Sequence, residues 1–286
     1  MSIRVLIVGY GFLGEQLAQM LRANSCYVYG IKRHPVNNAS AHLIHKNILH
    51  LSDHDLPEVD WVVYCPSPDQ HDALAYQQVF VNGLEHVLSL YTQRTTKPQL
   101  LYISSTRVYE QQHREWVNED SHCVGNDPLA RYLLAGEAIA QHTSLDSLVV
   151  RFSGIYGINR HHLLNALQAG NARLCHSQKF SNRIHILDCA RTLYHLMHMP
   201  HNENLYIASD NEPTPINTII SWLSAILGIP IPEEKHIESI EPGDHKSNKR
   251  LENTRLLHTG FRFEFANYRQ GFKQILQETG KIPAPK

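Results

Sequence analysis

Short apolar runs alternate along the chain with longer stretches in which apolar residues recur every three or four positions. Runs rich in β-branched residues are typical of buried strands, and the wider spacing is typical of amphipathic helices. Strands that alternate with helices in this way predict an α/β fold built on a doubly wound parallel sheet with right-handed crossovers. The predicted strands cover residues 3–8, 26–31, 43–44, 60–66, 99–104 and 146–152, and helices are predicted from near Phe12, over 72–91 and from Pro128.

The first strand runs directly into the pattern Gly-x-Gly-x-x-Gly. Gly9 is expected to make the tight turn, Gly11 to let the backbone approach a pyrophosphate, and Gly14 to let helix and strand pack closely. The helix that follows begins near Phe12 and Leu13, and its free N–H groups and dipole favour phosphate. The stretch therefore predicts a dinucleotide-binding Rossmann domain, and a strand-turn-helix without a ligand is the alternative interpretation.

After Phe152 the alternation loosens. Residues 1–154 are predicted to form the dinucleotide-binding domain, with a return segment over 184–204, and residues 155–286 a smaller C-terminal α/β substrate domain that caps the cleft. Strands are expected at 184–186 and 205–208, and helices at 163–169, at 188–197 with Asp188 as N-cap, and at 215–227, 253–260 and 268–279.

The residues after the second strand bear on the cofactor. NAD-selective proteins usually place an acidic residue there to bond the adenine ribose, whereas this strand runs into Lys32 and Arg33. Two cations favour the 2′-phosphate of NADP, so NADP is predicted over NAD, and solvated loop charges are the alternative interpretation. Cys65, at the end of the fourth strand, is expected beside the cofactor.

Composition narrows the class of protein further. The 286 residues carry a net charge of −1 and no basic stripe, which argues against nucleic acid, and no apolar run is long enough to span a membrane. The first apolar run leads into a glycine turn, so no signal peptide is expected. Five cysteines without Cys-x-x-Cys spacing indicate reduced thiols and a cytoplasmic location.

Histidine is abundant, and three histidines invite a metal interpretation. His195 and His198 share one helix face, but Pro200 breaks the helix before His201, and no acidic residue stands within the group. We expect no metal site.

Four motifs together resemble one enzyme family. The sequence is similar to the extended short-chain dehydrogenase/reductases, the NAD(P)-dependent epimerase/dehydratase family, and within it to the atypical YeeZ-like branch. The motifs are the glycine pattern, 104–109, 151–157 and 182–188, and the branch resemblance rests on 115–119, 135–137 and 182–185. The resemblance implies a redox-linked step on a small polar or anionic substrate, and a homodimer formed through the helices after the fourth and fifth strands.

The chain departs from that family at its catalytic pair. Active members carry Tyr-x-x-x-Lys on the helix after the serine loop, where lysine lowers the tyrosine pKa. Aligning Glu137 with the family's glutamate puts Leu129 and Leu133 at the two positions. Using Tyr132 as the tyrosine puts Gly136 at the lysine position. Neither register gives the pair.

The resemblance supplies other candidate site residues. Ser105 matches the Ser/Thr that bonds the substrate oxygen, but Thr106-Arg107 follow it in place of the dehydratase Asp-Glu. Ser104 is a candidate cofactor contact, and for both serines a polar strand end is the alternative. Tyr132 is a speculative proton donor, with a packing residue as the alternative.

Two further side chains are predicted to bind substrate. If Ile184 and Ile186 face the core, strand alternation puts Arg183 and His185 together on the opposite face, where they can clamp an anion. An ion pair with Asp188 is the alternative.

Two hypotheses from different classes follow. The first is an NADP-binding epimerase, dehydratase or reductase acting on a nucleoside sugar. The second is a non-catalytic NADP-binding redox sensor, which the missing lysine favours.

Overall fold

A seven-stranded parallel sheet forms the centre of the molecule. The computed structural model describes residues 2–37, 39–123, 125–200, 202–234 and 247–282. Its strands are β1 Arg4–Val8, β2 Tyr27–Ile31, β3 His42–Ile44, β4 Trp61–Tyr64, β5 Gln99–Ser105, β6 Trp116–Val117, β7 Ser147–Phe152, β8 Gly154–Tyr156, β9 Phe180–Ser181, β10 Arg183–His185, β11 Leu205–Ala208, β12 Thr214–Pro215 and β13 Arg250–Leu251. The central sheet has the order β3-β2-β1-β4-β5-β7-β11, and each neighbouring pair in it is parallel.

Helices cover both faces of this sheet. They are α1 Phe12–Ala23, α2 Ala73–Gln77, α3 Leu84–Thr92, α4 Pro128–His142, α5 His162–Gln168, α6 Ile186–His198, α7 Ile216–Leu227, α8 Thr254–His258 and α9 Tyr268–Glu278. A π-helical segment, Gln78–Gly83, joins α2 to α3, so the single helix predicted over 72–91 is a continuous run of three segments. The doubly wound fold class is confirmed.

Alternating side chains of each strand supply two apolar layers. Val5 and Ile7 pack with α1 and α6, whereas Leu6 and Val8 pack on the opposite face with α3 and α4. The strands are buried on both sides, and for that reason they are continuous apolar runs in the sequence. The strand order reverses between β1 and β4, and in sheets of this kind ligands bind at the carboxyl ends of the strands at that point.

The smaller C-terminal layer has its own apolar cluster. It packs α5, α7 and α9 around Leu164, Leu223 and Phe272. Strand β11 lies in the central sheet beside β7, and α6 shares the cluster of α1. The domain boundary at residue 154 and the return segment 184–204 remain predictions.

One predicted helix start is wrong. Helix α6 begins at Ile186, and His185 is its N-cap, with Nδ1 accepting a hydrogen bond from the Leu187 N–H at 3.4 Å. Asp188 lies inside the first turn, and its carboxylate accepts hydrogen bonds from the N–H groups of Glu264 at 2.9 Å and Phe265 at 2.8 Å. Local capping rules predict Asp188 as the N-cap, but its carboxylate instead bonds backbone N–H groups far away in the sequence.

Candidate dinucleotide and substrate site

The glycine turn after β1 places each glycine in a different environment. Gly9 has φ of +95°, and a Cβ on it would overlap the backbone of Pro66. A Cβ on Gly14 would lie 2.7 Å from the Gly9 carbonyl oxygen, because α1 packs closely on β1. A Cβ on Gly11 would have no atom within 4 Å. Packing therefore explains Gly9 and Gly14, whereas Gly11 borders open space.

Helix α1 starts at this open space. Gly11 is the N-cap and supplies no side-chain cap, and the Glu15 N–H donates to the Gly11 carbonyl at 2.8 Å. The N–H groups of Phe12, Leu13 and Gly14 have no intrahelical acceptor, because they precede the first full turn. Three donors and the positive end of the dipole thus face the side that Gly11 leaves open, as an anion site requires.

The two predicted cations after β2 have different surroundings. Lys32 forms no ion pair with any residue of the described ranges. Arg33 donates from both terminal nitrogens to the two carboxylate oxygens of Asp69, each at 2.5 Å. The hydrogen bonds from Arg33 lower the pKa of Asp69. Sequence reasoning missed Asp69, because nothing local signals that the loop after β4 reaches the end of β2.

Cys65 lies against the glycine turn. Its N–H donates to the Val8 carbonyl at 2.9 Å, and its Sγ lies 3.4 Å from the Gly9 carbonyl oxygen. Burial raises the pKa of its thiol to about 12, so the group stays protonated at neutral pH. The side chain packs beside the predicted cofactor position as a neutral thiol.

A buried polar network crosses from β5 to α4 and β7. The Ser104 hydroxyl donates to Glu137 Oε1 at 2.5 Å, and Arg151 donates to both oxygens of Glu137 at 2.9 and 2.6 Å. Arg151 also donates to the Tyr109 hydroxyl at 2.6 Å. Burial alone lowers the pKa of Arg151, but the contacts with Glu137 outweigh it and raise the pKa. Ser104 is a predicted cofactor contact, but its hydroxyl proton bonds Glu137 and is not available to a cofactor.

Ser105 keeps a free donor. It caps the short 3-10 helix Thr106–Val108, and its Oγ accepts a hydrogen bond from the Arg107 N–H at 3.2 Å. Its hydroxyl proton has no acceptor among the residues that the structure describes. The half-buried hydroxyl can therefore donate to a ligand oxygen at the carboxyl edge of the sheet.

Helix α4 does not carry the family's Tyr-x-x-x-Lys pair in either register. Leu133 is buried, and Tyr132 is half-buried against the same apolar cluster, with no hydrogen bond from its hydroxyl to a described residue. A Cβ on Gly136 would overlap the Tyr102 hydroxyl, so helix and strand leave no room for a side chain there. Both possible lysine positions thus lie in the packed interface between α4 and the sheet.

Arg183 and His185 do share one face of β10, since Ile184 is buried in the opposite cluster. Burial lowers the pKa of Arg183, whose guanidinium lies 5.8 Å from the Phe272 ring centroid. The predicted alternative, an ion pair with Asp188, is wrong, because Asp188 contacts Arg191 Nε at 3.2 Å. Arg183 thus remains a cation without an ion pair in the described part of the chain.

His185 is a neutral, packed side chain. It is 1% exposed, and its ring centroid lies 5.3 Å from that of Tyr156 and 4.0 Å from that of Phe265. Burial lowers its pKa to about 4, so it carries no charge at neutral pH. Because Nδ1 accepts the Leu187 N–H, the neutral ring carries its proton on Nε2. On this face His185 can therefore offer an anion a hydrogen bond but no charge, and Arg183 supplies the positive charge.

Several buried polar atoms around Arg183 and His185 have no hydrogen-bond partner among the residues that the structure describes. In a folded protein such atoms normally bond ordered water or a ligand. They are Ser153 Oγ, Tyr156 Oη, Arg183 Nε, His185 Nε2, Asp210 Oδ2 and Gln274 Oε1.

Lys249, directly before β13, is a buried cation. Its ammonium donates to the Tyr109 carbonyl at 2.6 Å and to Ser247 Oγ at 2.7 Å. Burial lowers its pKa to about 8. The contact ties the segment before β13 to the loop that follows Ser105.

Comparison with known proteins decides the family. The model of the NAD dependent epimerase/dehydratase family matches residues 5–207. The chain belongs to this family. The matched residues run from β1 to β11 and include all of the seven-stranded sheet except its two end residues, Arg4 and Ala208.

Solved structures of several other proteins superpose on this chain over nearly its full length. A candidate NAD-dependent epimerase/dehydratase from Methylobacillus flagellatus is 28% identical, with a TM-score of 0.80 over 98% of this chain and 100% of that one. A functionally unknown conserved protein from Silicibacter pomeroyi is 23% identical, with a TM-score of 0.80 over 97% and 99%. UDP-glucuronic acid 4-epimerase from Bacillus cereus, solved with NAD, is 19% identical, with a TM-score of 0.78 over 99% of each chain. No curated protein matches the sequence.

Within the described ranges, no three His, Cys, Asp or Glu side chains are grouped so that they can hold a metal ion. His201 of the histidine group lies outside the described residues. No described helix combines the length and the apolar character needed to cross a bilayer.

Proposed function

We propose that this chain binds a nicotinamide dinucleotide across the glycine turn and uses it in a redox-linked step on a nucleoside sugar or a similar anionic substrate. The observation that carries the proposal is the open space at Gly11 in front of the uncapped start of α1. A pyrophosphate fits that space, because three backbone donors and the helix dipole face it. The bound dinucleotide would supply and accept hydride.

The preference for NADP(H) over NAD(H) is a finer part of the proposal. Lys32 and Arg33 follow β2, and no acidic residue stands directly after the strand to accept the ribose hydroxyls. Both cations favour the extra phosphate. Of the similar structures, the Bacillus cereus epimerase was solved with NAD, so the preference of this chain needs its own measurement.

Ser105 and Arg183 are the proposed substrate contacts. The free proton of Ser105 suits a carbonyl or hydroxyl oxygen at the edge of β5. Among the described residues, no carboxylate lies within ion-pair distance of the Arg183 guanidinium, which suits an anionic substrate group. The name of the Bacillus cereus epimerase gives its substrate as a nucleoside diphosphate sugar acid, and this supports the same substrate class for the chain described here.

The candidate proton donor in α4 is Tyr132. Its hydroxyl has no hydrogen-bond partner among the described residues. No lysine lies in Pro128–His142 to lower its pKa. This absence favours a second candidate function, a non-catalytic dinucleotide-binding sensor of redox state. In either role we place the protein in the cytoplasm, where its five free thiols stay reduced.

Hydride transfer separates the two candidates. The protein is incubated with 4-pro-S-deuterated NADPH and a panel of keto-sugar nucleotides, and products are analysed by mass spectrometry. We expect deuterium in a product, and a loss of about tenfold to hundredfold in rate for Ser105→Ala with unchanged NADPH binding. Tight NADPH binding with no transfer to any keto-sugar would contradict the enzyme and support the sensor.

A further inference from the structure

The Arg33–Asp69 ion pair spans the point where the sheet reverses its strand order. Arg33 follows β2 and Asp69 lies in the loop after β4, while β1 and its glycine turn lie between these two strands. The pair therefore joins two loops at the carboxyl edge, on either side of the glycine turn. It is bidentate, with two N–H···O contacts of 2.5 Å.

The path of the Asp69 loop is restricted by the glycine turn. Pro66 lies so close to Gly9 that no Cβ fits between them, and Cys65 Sγ contacts the Gly9 carbonyl oxygen. Pro66 and Pro68 each fix one backbone φ angle on the way to Asp69. The carboxylate is consequently held toward the end of β2.

We propose that Asp69 is a specificity-determining residue of the dinucleotide site, whose carboxylate competes with the 2′-phosphate of NADP(H) for Arg33. This inference rests on the proposed dinucleotide function. With NAD(H) the ion pair stays intact. With NADP(H) the Arg33 guanidinium must leave Asp69 to bond the phosphate, and the carboxylate then lies near a second anion.

Exposure and geometry set the size of this effect. The side chains are 49% exposed for Arg33 and 62% for Asp69, so water screens the pair and it can open. Exposed pairs are typically worth up to about 1 kcal/mol, which corresponds to about fivefold in a binding constant. Repulsion between Asp69 and the phosphate adds to this cost. Lys32, which has no ion pair in the described ranges, stays available to the phosphate throughout.

The test is the variant Asp69→Asn, which keeps the shape of the side chain and removes its charge. Dissociation constants for NADPH and NADH are measured by calorimetry at low ionic strength. We expect NADPH to bind about fivefold more tightly than in the wild type, with NADH changed by less than about twofold. The matched control is Asp60→Asn, which removes the partner of Arg4 at the opposite, amino end of the sheet and changes the net charge equally.

A second variant tests whether Arg33 is the group for which Asp69 and the 2′-phosphate compete. Arg33→Gln combined with Asp69→Asn is expected to abolish most of the gain in NADPH affinity. The inference is overturned if Asp69→Asn leaves the NADPH to NADH ratio unchanged, if Asp60→Asn shifts it equally, or if the gain persists without Arg33. Failure of the wild-type protein to bind either dinucleotide would overturn the proposed function as well, and so is distinguishable from these results.

Discussion

Glu137→Ala is expected to lower the free energy of unfolding by about 3–5 kcal/mol, because it leaves the Arg151 guanidinium buried without a counter-charge. The side chains of Arg151 and Glu137 are 7% and 4% exposed. The variant also removes the acceptor of the Ser104 hydroxyl. Urea denaturation followed by circular dichroism measures the change.

Two comparison variants show that burial causes this loss. Asp60→Ala removes an exposed partner of Arg4, and we expect a loss of less than about 1 kcal/mol. The double variant Glu137→Leu with Arg151→Met removes both buried charges, and its loss should be smaller than that of Glu137→Ala. A single-variant loss below about 1 kcal/mol would mean that the network contributes little to stability.

Gly11→Ala is expected to weaken dinucleotide binding by about a hundredfold or more while the protein stays folded. The added methyl group enters open space in the free protein, with no atom within 4 Å. In the complex it meets the pyrophosphate at the position where the backbone must approach most closely. Replacing glycine at an N-cap by alanine costs about 1 kcal/mol or less. Fluorescence titration with NADPH and NADH, together with thermal unfolding, measures both effects.

Gln19→Ala provides the matched control for this variant. Gln19 lies on the exposed face of the same helix, two turns from the glycine turn, so its replacement should leave binding unchanged. Equal affinity of wild type and Gly11→Ala would show that the dinucleotide does not lie against Gly11.

The central sheet was predictable because its strands are buried on both faces. β1 and β4 are apolar over nearly their whole length and β5 is apolar over its middle, and such runs between helical stretches specify a parallel α/β sheet. The glycine turn was predictable for a related reason. The backbone conformation at Gly9 and the close packing at Gly9 and Gly14 allow only glycine at these positions. The turn can therefore be recognised from the sequence.

Contacts between distant segments were not predictable from the sequence. Asp69 is 36 positions from Arg33, and Glu137 is 33 from Ser104. Asp188 has the residue type of a helix N-cap, yet its carboxylate bonds the backbone near residue 264. His185 was placed on the correct face of its strand, but its loss of charge depends on the aromatic rings that surround it. Local pattern specifies which face a side chain occupies, and tertiary packing decides its charge state and its partners.

Native mass spectrometry of the chain with NADH or NADPH shows whether a dinucleotide binds at the glycine turn. We expect a complex of one dinucleotide per chain for the wild type, and loss of that complex in Gly11→Ala. A wild-type spectrum without either dinucleotide at saturating concentration would contradict this expectation.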